Sequence, residues 1–359
     1  MADPPAGWPQ DLRDLTAVLR GAALPEDPDR AARALTLAVE RHRLGPYLAD
    51  LLRDADLPEA MRARLASEAE AGAMAALIQK AETKRSLDAL RAAGCDPVLV
   101  KGWPLAERLY GSAALRHSKD LDLHIGAQHL PMAAEVIGAL GYAPVSGHRT
   151  RLNLALRGDP TLIDEANDLA FLHPDGRMIE LHWRLTHLCG WITLDAIPGA
   201  TQAHPLDGGG EVTVLSDRAA LIYLSVHGQL HMWGRLKWLL DIARLAALRG
   251  DEALMEDLAL AEKLRAGRAV RIALALAHRV FATPLPEDWP APGWLERRAA
   301  SHFLGLMARP GGTPGETEAR VHYHLCVMAY GEGLTQRLAS PRYALARNLR
   351  IWWAGRSAA

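Results

Sequence analysis

The 359-residue chain has only three cysteines, three phenylalanines and no surplus of either charge, its formal net charge being −1. Cys95, Cys189 and Cys326 lie far apart with no Cys-x-x-Cys pair, which excludes a disulfide framework and a zinc knuckle as organising features. The balanced charge speaks against long nucleic acid as a partner, because proteins that track a phosphate backbone carry a basic excess. No uninterrupted apolar run reaches the roughly 18 residues that would span a bilayer. The opening MADPPAGWPQDLRDL has neither a basic n-region nor an apolar h-region, so no secretory signal is read and a cytoplasmic location is expected. Internal repeats are also missing. The Gly-rich HPLDGGGE (residues 204–211) lacks the lysine of a phosphate-binding P-loop and reads as a connector.

What remains is 49% hydrophobic and 23% charged, enough to build a large core in two or three compact units. Residues 8–94 read as helical, with the longest helix over Pro58–Ala93 closed by Gly94. The pattern then switches. Pro97–Val100 suits a short buried strand, Pro104–Tyr110 a helix with proline in its first turn, and Asp120–Ile125 a second strand. Leu130–Leu140 reads as a helix closed by Gly141. Leu162–Leu172 and Met178–Trp183 read as two strands joined by the turn His173-Pro174-Asp175-Gly176. From Ser216 onward the spacing predicts helices near 217–231, 235–248, 252–263, 266–281, 295–308, 315–330 and 341–354. The expected fold class is α+β. A small mixed sheet of about four or five strands (residues 95–215) is flanked by an N-terminal helical region (1–94) and a C-terminal helical domain (216–359).

The chemistry concentrates in SKDLDLHI, residues 118–125. In a strand, residues i and i+2 share a face, so Asp120 and Asp122 project together while Leu121 and Leu123 pack behind. Two carboxylates about 6–7 Å apart are either ordinary acids on a solvent-facing edge or the seat of a hard cation such as Mg²⁺. Three neighbours favour the cation. Val98-Leu99-Val100-Lys101-Gly102-Trp103 is a strand that turns through Lys101 and Gly102 into a helix, a geometry able to meet phosphate. Arg116 stands four residues before Asp120. Met178–Trp183 would put Glu180 and His182 on one strand face, supplying a third carboxylate.

VLVKGWPLAERLYGSAALRHSKDLDLHI resembles the signature of nucleotidyltransferases of the DNA polymerase β-like superfamily: hydrophobic strand, Gly turn, helix, then Asp-x-Asp, with a further acid on a later strand. It is most similar to a bacterial group within it whose members read LKG…L…LY…R…DIDLLV. IELHWRL (residues 179–185) and HGQLHMWGRLKWLLDIARL (residues 227–245) resemble later segments of that group. The likeness runs from about Pro97 to Leu248. Trp103 departs from it, standing where Ser or Gly is usual after the turn glycine, and so does the longer spacing between Gly102 and Asp120. His124 occupies a position that is usually aliphatic.

The resemblance implies transfer of a nucleoside monophosphate from an NTP, with ATP the expected donor, assisted by two Mg²⁺ ions. Asp120 and Asp122 would hold the ion that carries the triphosphate, and with Glu180 the second ion. Glu180 would be the general base if one is needed. Lys101, Gly102, Arg116 and Lys237 would bind the nucleotide phosphates. Relatives lie beside gene clusters for ribosomally made peptides such as lasso peptides, so the implied acceptor is a peptide or a small molecule. The alternative is a catalytically silent module of the same fold that binds an NTP or a partner.

Other features stay two-sided. His227 and His231 share a helix face as zinc-binding pairs do, but Gly228 follows His227 where the His-Glu-x-x-His motif needs Glu, so packing suits them as well. Lys237 is either a solvated lysine or a phosphate ligand. Trp183, Trp233 and Trp238 suit a core as well as a base-stacking wall. Arg337, Arg342, Arg347, Arg350 and Arg356, interleaved with Tyr343, Trp352 and Trp353, make a basic surface helix or a grip for phosphate, acidic peptide or nucleic acid.

Overall fold

The computed structural model describes residues 7–146, 148–157, 166–186, 192–309, 316–338 and 341. Four helices open the chain: α1 (Gln10–Leu19), α2 (Pro28–Thr36), α3 (Gly45–Leu51) and the 34-residue α4 (Glu59–Ala92). The central portion runs β1 (Val98–Leu99), α5 (Trp103–Tyr110), β2 (Asp120–His124), α6 (Leu130–Ala139), β3 (Ala143–Pro144) and α7 (Arg149–Leu156). It continues with β4 (Asp168–Leu172), β5 (Met178–His182), β6 (Thr201–Pro205) and β7 (Glu211–Leu215). Five helices follow: α8 (Asp217–Leu230), α9 (Leu236–Lys263), α10 (Gly267–Phe281), α11 (Trp294–Met307) and α12 (Glu316–Tyr330). The fold is α+β, as expected.

The sheet is larger than the four or five strands expected. Among the described residues it has seven, in the order β3-β4-β5-β2-β1-β7-β6. Two of the additions, β6 and β7, flank the Gly-rich connector, in which residues 206–210 form the turn between them with Leu206 N–H donating to Gly210 O at 3.0 Å. TQAHP has one β-branched residue and a proline, so β6 is a weak strand by itself and is held at the sheet edge by pairing with β7. The expected strand over 162–172 begins at Asp168, with Ala166 and Asn167 outside it and residues 162–165 outside the described residues. Helix α7 was not foreseen. The two helices expected at 235–248 and 252–263 form one element kinked at Gly250, whose φ of 71° lies in the left-handed region. The expected helix at 341–354 falls almost entirely outside the described residues.

The alternation of strand residues divides the molecule into two cores. Leu99, Leu121, Leu123, Leu169, Phe171, Ile179 and Leu181 pack on one sheet face against Leu87 and Leu90 of α4 and Ala133 and Ile137 of α6. The other core joins N-terminal and C-terminal helices: Trp8, Leu12 and Leu48 share a buried cluster with Leu221, Ile242, Ile272 and Phe303. Trp8 Nε1 donates to Leu304 O at 3.2 Å across this junction. The second sheet face, carrying Asp120, Asp122, Glu180 and His182, looks toward α8.

Candidate active site

Strands β2 and β5 run parallel with Asp122 opposite Glu180 and His124 opposite His182. Parallel partners share a face, so the alternation of each strand places its acids on the side away from the leucine core. Asp168 of β4 stands opposite His182 on the next strand. On the other flank Val100 N–H donates to Asp122 O at 3.0 Å, which fixes the chain where it leaves β1 and delivers Lys101 to the acids. Gly102 follows at φ 104° and ψ −148°, a conformation that side chains beyond glycine rarely adopt, and starts α5. Lys101, Asp122, Asp168, Glu180 and His182 line a cavity of about 540 Å³ whose far wall is Tyr223 and His227 of α8 and His231 just after it.

The polar contacts are short and convergent. Lys101 Nζ lies 2.9 Å from Asp122 Oδ2 and 3.4 Å from Asp120 Oδ1. His182 Nε2 lies 3.1 Å from Asp122 Oδ1 and 3.3 Å from Glu180 Oε2. Burial alone would push the Asp122 carboxyl up, but the Lys101 charge and the His182 hydrogen bond outweigh it and hold it below the usual carboxylate range. Burial likewise opposes protonation of His182, and its two carboxylate partners overrule that, raising it to about 10. Glu180 is the exception. Burial raises its pKa, helped by the nearby charges of Asp122 and Asp120. A carboxylate with an elevated pKa inside a cavity suits proton transfer.

The donor set fits a divalent cation. Asp122, Glu180 and His182 each offer one ligand atom, these atoms lie within 4.8 Å of one another, and a cation there would bind His182 as neutral imidazole, displacing the proton its two carboxylate partners favour. Asp122 Oδ2 is buried without an aligned hydrogen bond, its close neighbour being the Lys101 ammonium. Asp120 is not part of this group, so the structure assembles a set different from the expected Asp120, Asp122 and Glu180. His182 was noted in the sequence only as sharing a face with Glu180. Its i,i+2 relation to that acid was the available signal.

The expected phosphate ligands separate. Lys101 is in the cavity wall, whereas Gly102, Arg116 and Lys237 are not among its lining residues. Arg116 is buried and its guanidinium pairs with Asp241: Nε lies 3.0 Å from both carboxylate oxygens and Nη2 2.9 Å from Oδ2. Tyr110 OH donates to the same carboxylate at 2.7 Å. Lys237 is also buried, neither solvated nor facing the cavity, and its Nζ donates to His117 O at 2.7 Å while burial lowers its pKa to about 7. Trp103, the departure after the turn glycine, points into the α4 core, where its Nε1 donates to Thr83 Oγ1 at 3.0 Å. Trp183 and Trp233 are buried, and Trp238 packs beside His227 and His231.

Sequence reasoning missed Arg151 of α7 and Asp168 of β4, which line the cavity and pair at 3.3 Å. Arg151 carries no motif, and only the fold of α7 over β4 brings it in. His124 stands half-buried beside His182 in register, outside the cavity lining. Of the basic C-terminal residues, Arg342, Arg347, Arg350 and Arg356, with Tyr343, Trp352 and Trp353, lie outside the described residues. Arg337 donates to Gly331 O at 3.1 Å.

Among the described residues no helix is long and apolar enough to cross a membrane. Comparison with curated proteins and with solved structures finds no match. A family model described as "Uncharacterised nucleotidyltransferase" matches residues 28–282, well over half of the chain, and spans α2 through α10 with every strand of the sheet. With its acids on adjacent parallel strands above a leucine core, the chain belongs to this family of uncharacterised nucleotidyltransferases.

Proposed function

We propose that the protein transfers a nucleoside monophosphate from an NTP, ATP being the expected donor, to an acceptor that is not a nucleic-acid primer. The observation that carries this reading is the register of β2 against β5, which sets Asp122 beside Glu180 with His182 between their oxygens. A divalent ion bound there would neutralise developing phosphate charge and lower the pKa of the attacking group. The chain's own groups do the rest. Lys101 holds Asp122 through Oδ2, and Glu180 receives the acceptor's proton as the acceptor's oxygen attacks the α-phosphorus. The bond from that phosphorus to the bridging oxygen breaks, and pyrophosphate leaves. Arg151, half-buried at the cavity wall, offers positive charge to the phosphates.

A near-neutral chain with a cavity of this size suits a peptide or small-molecule acceptor better than a polynucleotide. The test is to incubate the protein with Mg²⁺, each NTP and candidate acceptors, including products of neighbouring genes, and to look for a mass gain of one nucleotide. Asp122→Ala and Glu180→Ala are expected to lower transfer by about 10²–10³-fold or more, as deletions of electrostatic stabilisers do. Unchanged transfer in both variants would remove the assignment. A silent binding module has one observation in its favour, the Lys101 ammonium that neutralises the acid pair without any ion. Tight NTP binding with no pyrophosphate release for any acceptor would establish that reading instead.

A further inference from the structure

The Asp120-x-Asp122 pair invites the expectation of a cation bridging its two carboxylates, yet that position faces a cation already built into the chain. Lys101 Nζ lies 2.9 Å from Asp122 Oδ2 and 3.4 Å from Asp120 Oδ1, so the ammonium sits between the two acids. We infer that Lys101 takes the place of one of the two ions, and that the protein itself holds a single divalent cation through Asp122, Glu180 and His182. The inference deepens the nucleotidyl-transfer reading and rests on it for its functional meaning.

Three observations support the assignment. First, the lysine is fixed from both sides along the chain. Val100 N–H bonds to Asp122 O at 3.0 Å just before it, and Gly102 turns sharply at φ 104° just after it. The backbone that carries Lys101 is therefore held beside the acids. Second, the Asp122 side chain is 1% exposed and Lys101 is the charged partner of its Oδ2, so withdrawing the lysine would leave that buried oxygen without one. A divalent ion bridging Asp120 and Asp122 would lie against the ammonium at contact distance, and like charges in a poorly solvated site repel strongly. Third, the two oxygens of Asp122 already address different partners. Oδ2 meets Lys101, whereas Oδ1 meets His182, on the side where Glu180 stands. The donor group on that second side is complete without Asp120.

The experiment counts ions on the nucleotide-free full chain, using Mn²⁺ as the probe and electron paramagnetic resonance of free Mn²⁺ as the readout. One tight site per chain is expected. Asp120→Asn is expected to leave that site's Kd within about threefold, because Asp120 partners the lysine and not the ion. Lys101→Met, which keeps the stem and removes the charge, is expected to open a second Mn²⁺ site between Asp120 and Asp122. Two sites in the unaltered chain overturn the inference, and so does a tenfold or greater loss of affinity in Asp120→Asn. If Lys101→Met does not fold, the unaltered chain and Asp120→Asn decide the matter alone. Nucleotide transfer by a chain that binds two Mn²⁺ ions would reject this inference while leaving the proposed function standing. Single-site binding with no transfer to any acceptor would do the reverse.

Discussion

The side chains around Asp241 show how one buried carboxylate redirects residues that look functional. Arg116 precedes the acid pair by four residues and invites a role on phosphate. Its guanidinium is instead locked onto Asp241, which also accepts from Tyr110. Burial works against the charge on Arg116, but the Asp241 carboxylate more than compensates and raises its pKa. Breaking such a pair leaves an uncompensated charge in the interior, so Asp241→Ala should cost about 3–5 kcal/mol in urea unfolding. Arg116→Ala should show a loss of similar size. A stable Arg116→Ala protein whose only defect is weaker NTP binding would return this arginine to the phosphates. Lys101 differs in outcome, because its partner Asp122 lies in the cavity wall and Asp241 does not.

At the level of elements, the far wall of the cavity depends on a close approach between α8 and the turn that ends it. Met232 and Trp233 adopt left-handed backbone, with φ of 57° and 49°, and fold the Trp233 ring back onto the helix. A methyl group at Gly228 would stand 2.4 Å from that ring. Trp233 is fully buried, so the ring has no free space into which to retreat. Gly228→Ala should therefore destabilise the protein by about 1–3 kcal/mol, read as a lower midpoint in thermal unfolding. It should also disturb His227 and His231, which flank this glycine and whose rings lie 4.3 Å apart in the cavity wall. The periodicity of α8 and the Ser216 cap are readable in the sequence, since Ser216 Oγ accepts from Ala219 N–H as an N-cap does. The return of Trp233 is not, because left-handed backbone at a bulky residue is imposed by packing.

For the whole molecule, the helical core that joins the described N-terminal and C-terminal helices contains a histidine that must stay neutral. His42 is fully buried and accepts from Leu236 N–H through Nδ1 at 3.1 Å. Burial, with the nearby Arg41 and Arg235 charges, lowers its pKa to about 3. In the unfolded chain it titrates near 6.5, so below that value the unfolded state takes up a proton that the folded state refuses. Stability from this group is thus fully present above about pH 6.5 and falls as pH drops toward 3, at about 1.4 kcal/mol per unit. Urea unfolding should show a loss of about 2–3 kcal/mol from this source between pH 6.5 and pH 4.5. In His42→Asn, whose amide oxygen can stand in for Nδ1, that loss should disappear. An acid limb of equal size in the variant would place the dependence elsewhere.

The sequence alone determined the helix–sheet–helix order, the strand that carries Asp120 and Asp122, and the second strand that carries Glu180 and His182. These follow from local rules, namely period-2 alternation, capping and turn chemistry, which act over a few residues. What it could not determine is which charged groups face one another. Asp122 and Glu180 meet through a parallel register although they are 58 positions apart, Arg116 pairs with Asp241 of α9, and Arg151 enters the cavity on a helix without any motif. The edge strand β6 was hidden for the same reason, since a weak strand is defined by its neighbour more than by its own residues. Charge partners are chosen by packing at long sequence separation, and at this site that choice decides whether a cation comes from solution or from Lys101.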